Sequence, residues 1–364
     1  MQFEVVLASG ELVIVSKDSY PDLFWALRGS CSSSFGIIAS TTFAMHYLPY
    51  PNLTTITVMG VPRPSAVNVS YWWQTWSSVT ASTRITSTMN LNAGTADMVT
   101  LYSGSREDAL AETLADLTAG LVDTGALTME QLLASYEEVS LLETIGWFTG
   151  LYTVDELLST TTLPPLSSRT SRRKVKSSFV IQPYSMSDIS ELIHMRETGV
   201  LNQIEWKAYG GSVALGLPPP AASAEDAKRA ASSRVLIDPA ESAYRTELYT
   251  SDTTPILRGQ LFEMHFAQSH TSPPADPTRY VVDALIVDQV NRAGVNISIL
   301  ANTTHCYPGY IDITLETTVL TQPGYHYFGE ESTQKLAELR QIYDPSDALS
   351  SRTSDYLYPS SLAN

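Results

Sequence analysis

The sequence predicts an α+β chain in which a large antiparallel sheet is covered by helices. Two observations carry that expectation. Stretches with the two-residue alternation of half-buried strands recur through the middle of the chain, as in "RITSTMNLNAG" (84–94) and "DMVTLYSGS" (97–105). Stretches of helical period are interleaved with them, as in "REDALAETLADLTAGL" (106–121), where Leu110, Leu114 and Leu117 share a face.

At the N-terminus, residues 3–7 and 12–15 read as strands around a Ser9-Gly10 turn. Pro21 to Leu27 reads as a short helix, with proline in its first turn and Asp22 at the positive end of its dipole. A run of small residues follows, "RGSCSSS", and then the extended stretch "FGIIASTTFAMHYLP". Residues 54–61 read as a strand, and 65–79 as a helix whose Trp72, Trp73 and Trp76 belong to the core. "KSSFVIQPYS" and "SDISELIHMRETGV" repeat strand then helix, with Ser187-Asp188 as the capping start. "NQIEWKAYGGSVALGL" reads as a strand pair around Gly210-Gly211, and "ILRGQLFEMHFAQ" as a further strand or helix. Residues 278–294 read as a helix. Another begins near Glu330-Glu331, carries Leu336, Leu339 and Ile342 as its apolar stripe, and stops before Pro345.

Composition narrows the function. The 364 residues fit one large or two intertwined domains, and 43% are hydrophobic. No apolar run approaches the roughly 18 residues that span a bilayer. The net charge of −16 argues against nucleic acid or an anionic membrane as partner, because both need a basic face. The basic cluster "SSRTSRRKVKSS" (167–178) reads as a solvated loop entering a strand. Two cysteines, Cys31 and Cys306, offer no metal spacing and no disulfide framework, and whether they pair stays open. Four sequons, at Asn52, Asn68, Asn296 and Asn302, tilt towards a secreted protein. The alternating N-terminus is not a signal peptide.

Several segments, in order, resemble one family. "VVLASGELV" followed by "YPDLFWALRG", the small-residue loop and "FGIIASTTFAMHYLP" closely resembles the second half of the FAD-binding domain (PCMH type) of the vanillyl-alcohol-oxidase flavoproteins, in their berberine-bridge and oligosaccharide-oxidase branch. "WKAYGG" (206–211) is similar to the family's "PYGG" turn, "SAYRTELY" (242–249) to its "AWRDALL" segment, "YPGYIDITLE" to its "YxNY" element, and the 327–349 segment to its terminal helix.

The resemblance implies a cofactor domain made of residues 1–49 and a C-terminal segment, 305–364, that returns to it. Between them, 50–304 form a substrate domain whose large sheet covers the flavin ring on one face. It implies FAD-dependent oxidation of a small alcohol, sugar or specialised metabolite, with oxygen as electron acceptor. Tyr310, the last tyrosine of the "YxNY" element, is the implied base, and Tyr307 lines the same pocket. The asparagine between them is Gly309 here. The implied flavin contacts are Gly29, Ser30, Ser33, Ser34, Phe35, Gly36 and Ile37, chiefly through backbone N–H groups. Glu205 and Glu263 could tune a base, although a solvated strand residue is the plainer expectation for each. His46, in "FAMHYLP", takes a structural position.

Two departures follow. The "RSGGH"-type loop that attaches FAD covalently has no counterpart here, which also implies an exposed apolar face on the cofactor domain. The family's glycine-rich loop is Ser30-Cys31-Ser32-Ser33-Ser34, and each Cβ makes close approach to a flavin costlier. A second expectation is therefore a non-catalytic, secreted glycoprotein that keeps the fold without flavin. Weak, non-covalent FAD binding at best is expected. Denaturing purified protein and measuring the flavin colour checks this: released colour or none fits, and colour retained on the denatured chain contradicts it.

Overall fold

The computed structural model describes residues 1–30, 34–43, 52–149, 155, 171–209, 260–271, 285–294, 297, 306–308, 322–349, 357, 359 and 362. These fall into two compact units. One holds the described residues of Met1–Tyr47, Arg234–Gln260 and Thr304–Asn364, and the other those of Leu48–Ser233 and Leu261–Thr303.

The first unit contains a three-stranded sheet of β1 (Gln2–Val6), β2 (Leu12–Val15) and β3 (Ile37–Thr42), in the order β2-β1-β3 and antiparallel throughout. Alternation divides its faces. Phe3, Val5, Val13 and Val15 point into a core shared with helix α1 (Pro21–Leu27) and with α7 (Gly324–Phe328) and α8 (Glu330–Tyr343). Leu12, Ile14 and Ile37 lie exposed on the other face. α1 is fixed to α8 by Lys335, whose ammonium sits 4.3 Å over the Trp25 ring and 3.6 Å from Asp22. Leu336 and Leu339 are buried as expected, but Ile342 is 66% exposed. A helix turns 100° per residue, so the stripe begun by Leu336 and Leu339 continues through half-buried Tyr343 and leaves Ile342 off the face.

The second unit is built on a seven-stranded antiparallel sheet, in the order β7-β4-β6-β5-β9-β10-β8. Its strands are β4 (Asn52–Pro62), β5 (Ile85–Leu91), β6 (Thr95–Tyr102), β7 (Tyr136–Ser140), β8 (Ser171–Val180), β9 (Gln203–Ala208) and β10 (Phe262–Thr271). α2 (Ser65–Thr75) runs on into a π-helical turn, and α3 (Arg106–Leu117), α4 (Met129–Ala134), α5 (Leu141–Thr149) and α6 (Met186–Glu197) complete the labelled helices. Residues 285–294 are helical as well. β7 was not expected from the sequence. It is an edge strand whose Glu137 and Glu138 face solvent while Tyr136 and Val139 turn inward, and charge on an edge discourages pairing with another chain.

One face of this sheet is dry and packed with aromatics. Trp206 stacks on Tyr184 at 5.7 Å and lies 4.9 Å from Phe262, and Trp73 of α2 meets both Trp206 and Phe262. Two of the indoles there are paired: Trp73 Nε1 donates to Ser87 Oγ at 2.8 Å, and Trp206 Nε1 to Met264 Sδ at 3.2 Å. Trp76 is buried too, and Trp72 packs against the same core, as expected. α6 is capped by Ser185, not Ser187. Ser185 Oγ accepts from the Asp188 amide at 3.2 Å, and Asp188 accepts in return from the Ser185 amide at 2.9 Å.

Asn52 begins β4 and donates to Glu138 at 2.6 Å, whereas Asn68 sits half-buried within α2. Asn296, Asn302, His46, Gly210 and Gly211 lie outside the described residues.

Trp206 is fully buried at the centre of the aromatic layer, so Trp206→Ala is expected to cost about 3–5 kcal/mol. Denaturant unfolding checks this, and a loss well under 1 kcal/mol would contradict the packing described.

Candidate active site

The loop between α1 and β3 carries most of the expected cofactor contacts. The amides of Gly29 and Ser30 donate to the Ala26 carbonyl at 3.4 and 3.1 Å, closing the C-terminus of α1. Ser30 is 1% exposed, and its hydroxyl has no hydrogen-bond partner among the described residues. Ser34 and Phe35 are buried, Phe35 within the core of the first unit. Gly36 has φ +151°, and a Cβ there would come 2.3 Å from Val5 Cγ1. Its glycine is therefore explained by packing on β1. Ile37 pairs with Val6 and is exposed. Cys31, Ser32 and Ser33 lie outside the described residues.

Tyr307 is partly exposed, next to the half-buried Cys306, whose amide donates to the His326 carbonyl at 2.8 Å. Gly309 and Tyr310 lie outside the described residues.

A second group of ionisable side chains stands on the face of the seven-stranded sheet opposite the aromatic layer. β9 and β10 pair so that Glu263 is opposite Lys207 and His265 opposite Glu205. Glu263 is 2% exposed and His265 5%. The expectation of solvated glutamates is corrected here: Glu263 is buried and Glu205 is half-buried. His265 Nε2 bonds Glu263 Oε1, and His265 Nδ1 lies 3.7 Å from Glu205 Oε2. Glu205 also holds Lys207 Nζ at 3.1 Å. The Tyr209 hydroxyl donates to the second oxygen of Glu263 at 2.7 Å.

Burial pushes His265 towards the neutral form, but its bonds to Glu205 and Glu263 outweigh that and raise its pKa above the ordinary 6.5. Burial likewise opposes the charge on Glu205, and His265 with Lys207 overcomes it, holding the carboxyl below its ordinary value. Among the described residues no set of three such groups could hold a metal ion.

Comparison with known proteins gives these two regions a context. Over 56 residues the chain is 48% identical to the FAD-linked oxidoreductase asqF of Emericella nidulans, covering 15% of this chain and 9% of that protein. Over 70 residues it is 46% identical to the xylooligosaccharide oxidase of Thermothelomyces thermophilus, covering 19% and 14%. The solved structure of Phl p 4, a grass pollen allergen with glucose dehydrogenase activity, superposes with a TM-score of 0.69 at 18% identity, over 97% of this chain and 64% of that one. Berberine bridge enzyme superposes with a TM-score of 0.69 at 15% identity, over 99% and 66%. The chain has the berberine bridge enzyme fold. It resembles the FAD-linked oxidoreductases in sequence, and it spans under two thirds of the length of these solved structures. No family model matches the sequence.

In this berberine-bridge-type chain the sequence pointed to Glu205 and Glu263 but missed His265 and Tyr209. The signal was present. In "FEMHFAQ" the period of two puts Glu263 and His265 on one face, and in "IEWKAY" it does the same for Glu205, Lys207 and Tyr209.

The cluster sets a pH dependence. His265 is protonated more readily folded than unfolded, so its stabilisation is complete below 6.5 and is lost as pH rises through the folded value. Glu205 acts in the opposite sense: its contribution stands above 4.5 and is lost as pH falls through its lowered value. Glu263→Gln is expected to move the alkaline loss back towards 6.5. Denaturant unfolding across the pH range checks this, and an unchanged profile would contradict it.

Proposed function

We propose that this chain serves an FAD-dependent oxidation of a small alcohol, sugar or specialised metabolite. The observation that carries the reading is the buried Glu205–His265–Glu263 group on the sheet face opposite the aromatic layer. Charges removed from water cost several kcal/mol unless they are closely paired and hydrogen-bonded, and perturbed ionisable groups cluster where protons are handled. The named relatives support the class of chemistry: one is an FAD-linked oxidoreductase and two act on sugars.

The loop fits a cofactor in one respect. The buried Ser30 hydroxyl has a hydrogen bond still to make, and a phosphate or a flavin polar atom would supply it. FAD, when bound, takes up the hydride released from the substrate carbon. The protein has to place that carbon and accept the hydroxyl proton. We assign the flavin contact to the 29–37 loop and the proton-acceptor role to Tyr310, with Tyr307 lining the same pocket. A tyrosine with an ordinary pKa near ~10 needs a nearby charge to act as a base at neutral pH. Oxygen is the proposed acceptor of electrons from the reduced flavin, and a secreted location is proposed from the sequons.

A second reading, a secreted glycoprotein without flavin, is favoured by one observation. Gly29 and Ser30 spend their amides on the end of α1 and Gly36 packs on β1, so both glycines and the Ser30 amide are explained without a ligand. Titrating FAD into the protein and following flavin fluorescence separates the readings. Quenching reversed by denaturation is expected, and no binding would favour the second. With a xylooligosaccharide or glucose as reductant, Tyr310→Phe is expected to slow flavin reduction by about 100-fold or more while FAD binding stays unchanged. Equal rates would remove Tyr310 from the chemistry.

A further inference from the structure

The charged groups on the polar sheet face form an unbroken series. The Tyr209 hydroxyl donates to Glu263 Oε2 at 2.7 Å, and the other oxygen of that carboxylate meets His265 Nε2. His265 Nδ1 faces Glu205, which holds Lys207. Exposure is lowest at the centre of the series: Glu263 and His265 are buried, Glu205 and Lys207 at one end are half-buried, and Tyr209 at the other is 38% exposed. Tyr209 is thus the end nearest water.

We propose that Tyr209 and Glu263 are the proton conduit of this face, through which protons enter and leave the buried His265 unit. The inference rests on the reading above, that this chain serves the oxidation of an alcohol or sugar. An alcohol losing a hydride also loses a hydroxyl proton, and a closed site needs a route for it.

The protonation states follow from the partners. Carboxylate oxygens only accept, so the ring donates to Glu263 through Nε2, and its imidazolium form turns a second N–H, on Nδ1, towards Glu205 at 3.7 Å. It has no lone pair to offer. The next proton therefore goes to Glu263. As Tyr209 Oη takes a proton from outside, its own proton moves to Glu263 Oε2. The phenol is unchanged, the carboxylate becomes a carboxylic acid, and no electrons move. Reversal returns the proton to water. Glu205 and Lys207 act as positioning residues, since they fix the far side of the imidazolium.

A purely structural cluster would hold β9 against β10 equally well, so the test must read proton movement. Exchange of the His265 ring N–H protons with water, followed by NMR on ¹⁵N-histidine-labelled protein, does this without substrate or flavin. Tyr209→Phe keeps the ring and removes the hydroxyl. The expected result is slower exchange by about tenfold or more, with the imidazolium signature retained. The same rate with that signature intact would overturn the conduit. Should Tyr209→Phe disturb the cluster, incorporation of 3-fluorotyrosine, a more acidic phenol, replaces it: faster exchange supports the conduit and an unchanged rate overturns it. Because flavin is absent from the measurement, a chain that fails to bind FAD yet shows these shifts refutes the proposed oxidation and leaves the conduit standing.

Discussion

The register of β9 against β10 is the constraint on which the second unit depends. Pairing Trp206 with Met264 places Glu205 opposite His265 and Lys207 opposite Glu263 in the same operation. A slip by one residue would exchange the faces, driving carboxylates into the aromatic layer and tryptophan into the charged row. The dry face fixes the register through area buried, and the charged face inherits its geometry from it. A single set of strand pairings therefore secures the fold and also assembles the ionisable group.

The charged face does not serve stability cheaply. Several kcal/mol per ion are lost on leaving water, and a buried pair regains this only with close geometry and satisfied partners. Here Glu263 takes two bonds, from Tyr209 and His265, and His265 is engaged on both nitrogens. Hydrophobic residues of similar volume would hold the strands with less expense. Two carboxylates, an imidazole and an ammonium in one row fit the proposed role in handling protons better than a role in stability.

Much of the architecture was legible in the sequence because its signals are local. Pro21 marks the start of α1, alternation marks β5 and β6, and the berberine-bridge resemblance rests on short segments in order. What stayed hidden depends on partners distant in sequence. Glu263 reads as an ordinary strand glutamate until β10 is paired with β9, and only then does it stand with His265 and Tyr209 in one hydrogen-bonded row. β7 escaped because paired glutamates mask the inward Tyr136 and Val139. The Ser185 cap lay two residues before the expected one, because Ser185 and Ser187 offer the same chemistry and only backbone geometry separates them.

The loop after α1 shows the same limit from the other side. Its resemblance to a cofactor loop is carried by sequence, yet Gly36 is explained by contact with Val5, and among the described residues of the loop the Ser30 hydroxyl is left wanting a partner. The central claim, that the polar sheet face is a charged proton-handling surface, rests on His265 being an imidazolium held between two carboxylates. The ¹⁵N chemical shifts of its ring at neutral pH test this most directly. Both nitrogens in the protonated range are predicted, and one unprotonated nitrogen would contradict the account.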